Sequence, residues 1–84
     1  MSEFDDQIDA LCDRFEDTWL LGDRPSITEF MAESNPAIHQ ALLENLVPTD
    51  IEYRIKLGEA IAPGDYADLG PQAIAIAESE LQRN

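Results

Sequence analysis

Basic residues are scarce in this chain. Five Lys and Arg stand against 18 Asp and Glu in 84 residues, a net charge of −13. A nucleic-acid interface needs Lys and Arg to displace counterions, so the composition excludes that partner. Anionic membrane surfaces are excluded on the same ground. Cysteine and histidine occur once each, as Cys12 and His39. A lone cysteine makes no internal disulfide, which suits a reducing cytoplasm. Two such donors fall short of the about four ligands that zinc takes. Nucleophilic catalysis is poorly served, because Cys12 sits on an apolar helix face that predicts an inert thiol and His39 is the one histidine. The glycines form no phosphate-cradling loop. No apolar run approaches the about 20 residues of a membrane span. The acidic start, from Met1 to Asp6, is the opposite of a secretory leader. The expectation is a cytoplasmic protein that is not an enzyme, with no catalytic, cofactor or metal site.

What is present reads as helix throughout. Apolar residues make up 44% of the chain, enough for one modest core despite the charge. Ser2 is a candidate N-cap, and Phe4, Ile8, Leu11, Phe15 and Trp19 then recur at helical spacing, with Cys12 on the same face. Gly22 stops this helix. Ser26 and Glu29 have capping-box spacing and open a short helix containing Ile27, Phe30 and Met31. Asn35-Pro36 opens a third, with Ile38, Leu42, Leu43, Leu46 and Val47. Pro48 interrupts it, and Thr49 with Glu52 repeats the capping-box spacing, so a kink or a break with recapping is expected there. Ile51, Tyr53 and Ile55 follow, and Gly58 ends the segment. Pro63 opens a short helix with Tyr66, and Gly70-Pro71 opens the last, whose stripe is Ile74, Ala77 and Leu81. No stretch alternates with period 2, so strands are not expected. The fold class is all-α: a compact bundle of about five helices, one domain over residues 1–84.

The helices repeat weakly with a period of 36. Gly22-Asp23 matches Gly58-Glu59, Ile27 matches Pro63, and Glu29-Phe30 matches Asp65-Tyr66. Two units are fewer than the three that an open solenoid needs, so a closed bundle is expected. The acids define no calcium loop, because Asp5-Asp6-Gln7-Ile8-Asp9 has no glycine bend. A carrier protein would match in size and charge. However, Ser2, Ser26, Ser34 and Ser79 all lack the Asp-Ser-Leu setting of a prosthetic-group serine. The remaining candidates for partner binding are Arg24, Tyr53, Arg54 and Tyr66. They are aromatic anchors or scarce cations that the apolar stripes do not clearly claim. The competing expectation is ordinary packing for the tyrosines, and pairing of the arginines with acids such as Asp23, Glu29 or Asp50.

Several short motifs, in order, resemble a known family. Leu11-Cys12-Asp13-Arg14-Phe15-Glu16 with Trp19, followed by Gly22-Asp23-Arg24-Pro25-Ser26-Ile27-Thr28-Glu29-Phe30, is similar to the stretch ahead of the catalytic domain in planctomycete serine/threonine protein kinases. Leu42-Leu43-Glu44-Asn45-Leu46, Asp50-Ile51-Glu52-Tyr53-Arg54, Gly58-Glu59 and Tyr66 continue the likeness over roughly residues 8–70. Ala60-Ile61-Ala62 departs from the polar, proline-containing entry usual there. Of the kinase itself the chain has no Gly-rich loop, paired Lys, H-R-D or D-F-G. The resemblance implies an accessory N-terminal module with a regulatory or recruiting role. Its partner would be a protein, such as a kinase domain or its substrate. The alternative from charge alone is a stand-alone acidic inhibitor or nucleic-acid mimic that blocks a basic partner.

Overall fold

The computed structural model describes residues 3–83, with side chains from Asp5 onward. The Ser2 cap and the Phe4 side chain lie outside the described residues. Five helical segments fill the chain, with no strand among the described residues. They are α1 (Glu3–Leu20), α2 (Ile27–Glu33), α3 (His39–Lys56), a 3-10 helix (Pro63–Leu69) and α4 (Pro71–Arg83). A 3-10 turn, Pro36–Ile38, leads into α3. The caps follow the sequence signals. Ser26 Oγ accepts from the Glu29 N–H at 3.4 Å, and Asn35 Oδ1 accepts from the Ala37 N–H at 2.9 Å. Each satisfies a donor that a helix start leaves without an internal partner.

α3 is the central element and packs against α1, α2 and α4. It can do so because Leu42, Leu43, Leu46, Val47 and Ile51, all buried, spread around more than one side of the helix. Phe15 and Trp19 of α1, Ile27 and Phe30 of α2, Tyr66, and Ala73 and Ala77 of α4 complete the core. Phe15 meets Phe30 edge-on, with ring centroids 5.4 Å apart. The alanines let α4 approach closely, while Ile74 and Leu81, expected to lead its stripe, are only half-buried.

The expected break at Pro48 is not where the third segment changes character. That change falls at the join between the Pro36–Ile38 turn and His39. α3 continues as α-helix through Pro48. The Thr49 capping box does not form: its hydroxyl donates instead to the Asn45 carbonyl, one turn back, at 3.0 Å. The physical reason is burial on both sides of the proline. Val47, Asp50 and Ile51 are all held in the core, and tertiary packing outweighs the about 3 kcal/mol an interior proline costs.

The 36-residue period is a property of the backbone. α1 and α3 end at Leu20 and Lys56, 36 residues apart. α2 and the 3-10 helix each span 7 residues, and Ile27 and Pro63 are also 36 apart. Phe15 and Ile51 are equivalent and fully buried, as are the buried pair Phe30 and Tyr66. Both long helices end in the same motif. Gly22 (φ 88°) donates to the Trp19 carbonyl and Asp23 to that of Thr18; Gly58 (φ 81°) donates to Ile55 and Glu59 to Arg54. That double bond is the Schellman cap, which needs a left-handed residue. The second short helix is 3-10 and not α, in keeping with Pro63-Gly64 at its start. The radius of gyration, 12.4 Å, is close to the about 12 Å of a closed domain of this length, as expected.

Candidate functional site

The C-terminal ends of α1 and α3 lie side by side. The rings of Trp19 and Tyr53 stack with centroids 5.5 Å apart and planes 3° from parallel. Arg24, just past α1, pairs with Glu59, just past α3, and lies 5.6 Å over the Trp19 ring. Lys56 Nζ lies 5.1 Å from the centroid of the Tyr53 ring. Tyr53 and Arg24 are thus both accessible in part and both engaged within the fold.

A cleft of about 280 Å³ opens between the start of α2, α3 and the 3-10 helix. Arg24, Arg54 and Tyr66 all line it, so three of the four candidate residues meet there. Its floor is Asp50, only 2% exposed. Tyr66 donates its hydroxyl to Asp50 Oδ2 at 2.6 Å, and Arg54 Nε stands 2.9 Å from the same oxygen. The Arg54 contact is ionic and not a directed hydrogen bond, since its buried Nε–H has no acceptor along its axis. The guanidinium lies 5.7 Å over the Tyr66 ring. Burial pushes the Tyr66 hydroxyl well above its usual range, and the bond to Asp50 and the charge of Asp50 push it further.

Tyr66 is therefore a core residue, 3% exposed, and its ring is not available to a partner as an anchor. Its role is to satisfy a carboxylate that would otherwise be buried at high cost. Arg54 serves the same carboxylate. The pairing expected for Arg54 with Asp50 is present; Arg24 pairs with Glu59 and not with the nearer acids in sequence. Asp50 itself was not distinguishable among 18 acids. The available signal was its position one residue before Ile51, on a helix whose apolar residues occupy several sides.

All five Lys and Arg are paired with acids: Arg14 with Glu33, Arg24 with Glu59, Arg54 with Asp50, Lys56 with Glu52 and Arg83 with Glu80. The cleft, with Asp65 and Asp68 also at its wall, therefore has no uncommitted cation for an anionic ligand. Cys12 is half-buried, and burial with Asp9, Asp13 and Glu16 nearby raises its thiol pKa, disfavouring the reactive thiolate. His39 Nε2 lies 2.8 Å from the Met31 carbonyl and ties α3 to the end of α2. No group of three or more His, Cys, Asp or Glu is arranged to hold a metal among the described residues. No described helix is long and apolar enough to cross a membrane.

Among the described residues, the large apolar side chains left exposed are Leu20 (71%), Leu21 (80%), Ile55 (43%) and Leu57 (62%). Two close α1 and two close α3, beside the Trp19–Tyr53 stack. Single exposed leucines are ordinary on protein surfaces, but concentration at one end is not. None of the four is among the candidates from the sequence, where Ile55 simply follows Ile51 and Tyr53 and the leucines break no pattern. No protein-family model matches the chain, and neither a curated protein nor a solved structure does.

Proposed function

We propose that the chain is a non-enzymatic protein-interaction module serving bacterial serine/threonine kinase signalling, with a regulatory or recruiting role. The observation that supports it most is the set of exposed apolar side chains at the ends of α1 and α3. Exposing leucines in water opposes solubility, and a partner that covers them recovers about 25 cal/mol per Å². The floor of the cleft favours the same reading, since Asp50, Tyr66 and Arg54 are engaged with one another. The kinase association rests on the resemblance of residues 8–70 described above.

The test is calorimetric titration of the purified chain with a serine/threonine kinase catalytic domain from the same organism, and separately with ATP. Saturable binding of the kinase domain is expected, weakened at least tenfold by Leu20→Ser, and no heat is expected from ATP. Saturable ATP binding at micromolar concentration would overturn the non-enzymatic reading. Kinase-domain binding lost on neutralising Asp9, Asp13 and Asp17, but kept in Leu20→Ser, would replace it with the electrostatic-inhibitor reading.

A further inference from the structure

Asp50 is the buried acid among the described residues, and its two oxygens are not treated alike. Tyr66 and Arg54 both meet Oδ2, and among the described residues no hydrogen bond reaches Oδ1. Nor is Oδ1 sealed inside the core. Among the described residues, the enclosed side-chain N and O atoms without a hydrogen bond are Trp19 Nε1 and Arg54 Nε, so Oδ1 reaches the surface. Asp50 lines the cleft, and that surface is the cleft floor. A carboxylate oxygen there is an acceptor with lone pairs to spare.

The wall adds charge of the same sign. Residues three apart eclipse in a 3-10 helix, which puts Asp65 and Asp68 on one side of Pro63–Leu69, and both line the cleft. Asp65 Oδ2 accepts from the Ala62 N–H at 3.1 Å, while Asp68 has no hydrogen bond or ion pair among the described residues. The two arginines of the lining do not offset these acids, because Arg54 is matched by Asp50 and Arg24 by Glu59. At about 280 Å³ the cleft is smaller than the about 300–1,000 Å³ of small-molecule sites, which suits one inserted side chain and not a cofactor. A single acceptor oxygen at the floor suits the point charge of an ammonium better than a guanidinium fork, which seeks two oxygens of one carboxylate. Resting on the interaction-module reading above, we infer that the cleft receives a lysine side chain of the protein partner, with Asp50 Oδ1 as its acceptor at the floor and Asp65 and Asp68 at the wall.

The isotope-labelled full chain is titrated by NMR with N-acetyl-lysine methylamide, and with its arginine and norleucine counterparts. The salt is about 0.15 M, where screening over about 8 Å silences distant acids. Saturable shifts are expected at the Thr28, Asp68 and Leu69 amides and at the Asp50 carboxyl carbon. The lysine compound should bind about tenfold more tightly than norleucine, which lacks the charged donor. Asp68→Asn, at an exposed position, should weaken lysine binding about threefold. Asp13→Asn, the same charge change on α1, should leave it unaltered. Equal effects of the two variants, or shifts spread along α1, would mean charge adhesion alone and overturn the inference. An unmoved Asp50 carboxyl carbon would mean that water fills the floor, and overturns it too. Arginine bound as tightly as lysine would overturn the single-acceptor geometry. Lysine binding at the cleft without kinase-domain binding leaves the cleft standing and removes the kinase association. Kinase-domain binding that Asp68→Asn leaves unchanged does the reverse.

Discussion

Tyr66 donates a hydrogen bond from its hydroxyl to Asp50 across 2.6 Å, in a part of the molecule where both are almost fully buried. Removing that donor while keeping the ring leaves Asp50 with Arg54 alone. Tyr66→Phe is expected to destabilise the fold by about 1–3 kcal/mol, the usual cost of stranding a buried acceptor. The pH dependence has a definite sign. Folding raises the Tyr66 pKa above its ordinary 10.0, chiefly by burial. Below about pH 10 the hydroxyl is protonated in both states and its contribution is complete. As pH rises past 10 the unfolded chain ionises first, so stability falls. Denaturant unfolding between pH 8 and 11 should show that fall in the natural chain and a shallower one in Tyr66→Phe; parallel curves would remove Tyr66 as the cause. The sequence carried part of this. Tyr66 could be read as packing residue or anchor, and Arg54 as the partner of Asp50. Burial of Asp50 could not be read, because burial is decided by what packs against the helix and not by the residue's own type.

Helix boundaries were the most legible level, since they depend on local chemistry. Ser26, Asn35, Gly22 and Gly58 cap where their side chains or left-handed backbone require. The 36-residue period was visible in five matched residue pairs, and the backbone extends it to whole elements, because caps and glycines fix where helices end. Pro48 was legible as an anomaly but not in its outcome. Local propensity predicts interruption, and the burial of Leu46, Val47, Asp50 and Ile51 on either side overrides it. Pro48 has no N–H for the Glu44 carbonyl one turn earlier, so the helix contains a stored cost. Pro48→Ala restores that donor on a backbone already helical. The expected result is a stabilisation of about 1–3 kcal/mol, short of or equal to the full propensity difference, since some proline contacts are lost. Chemical denaturation decides it. An unchanged or lower midpoint would mean that proline packing against its neighbours is worth as much as the missing hydrogen bond.

At the scale of the whole molecule, charge is the dominant unbalanced term. A body measuring 35 × 29 × 21 Å holds a net −13, and each of its five cations is already matched to a carboxylate. The remaining acids carry charge that no Lys or Arg offsets. Two carboxylates about 10 Å apart in water repel by about 0.4 kcal/mol, and unfolding separates many such pairs. At 0.01 M salt the screening length is about 30 Å, comparable to the molecule, so nearly all acids repel nearly all others. At 0.15 M it is about 8 Å, and only neighbours still interact. Salt also weakens the ion pairs, but most of those are exposed, and exposed pairs contribute about 0–1 kcal/mol. Repulsion therefore outweighs pairing, and raising sodium chloride from 0.01 to 0.15 M should stabilise the fold by about 1–3 kcal/mol. The variant Asp9→Asn/Asp13→Asn/Asp17→Asn removes three exposed charges from α1 without touching its first turn, where acids favour the helix dipole. It should be more stable than the natural chain at low salt and gain less from added salt. Thermal unfolding of both proteins across that range measures the difference. A midpoint that falls with salt in the natural chain would mean that its five ion pairs, and not its excess acids, set the electrostatics of the fold.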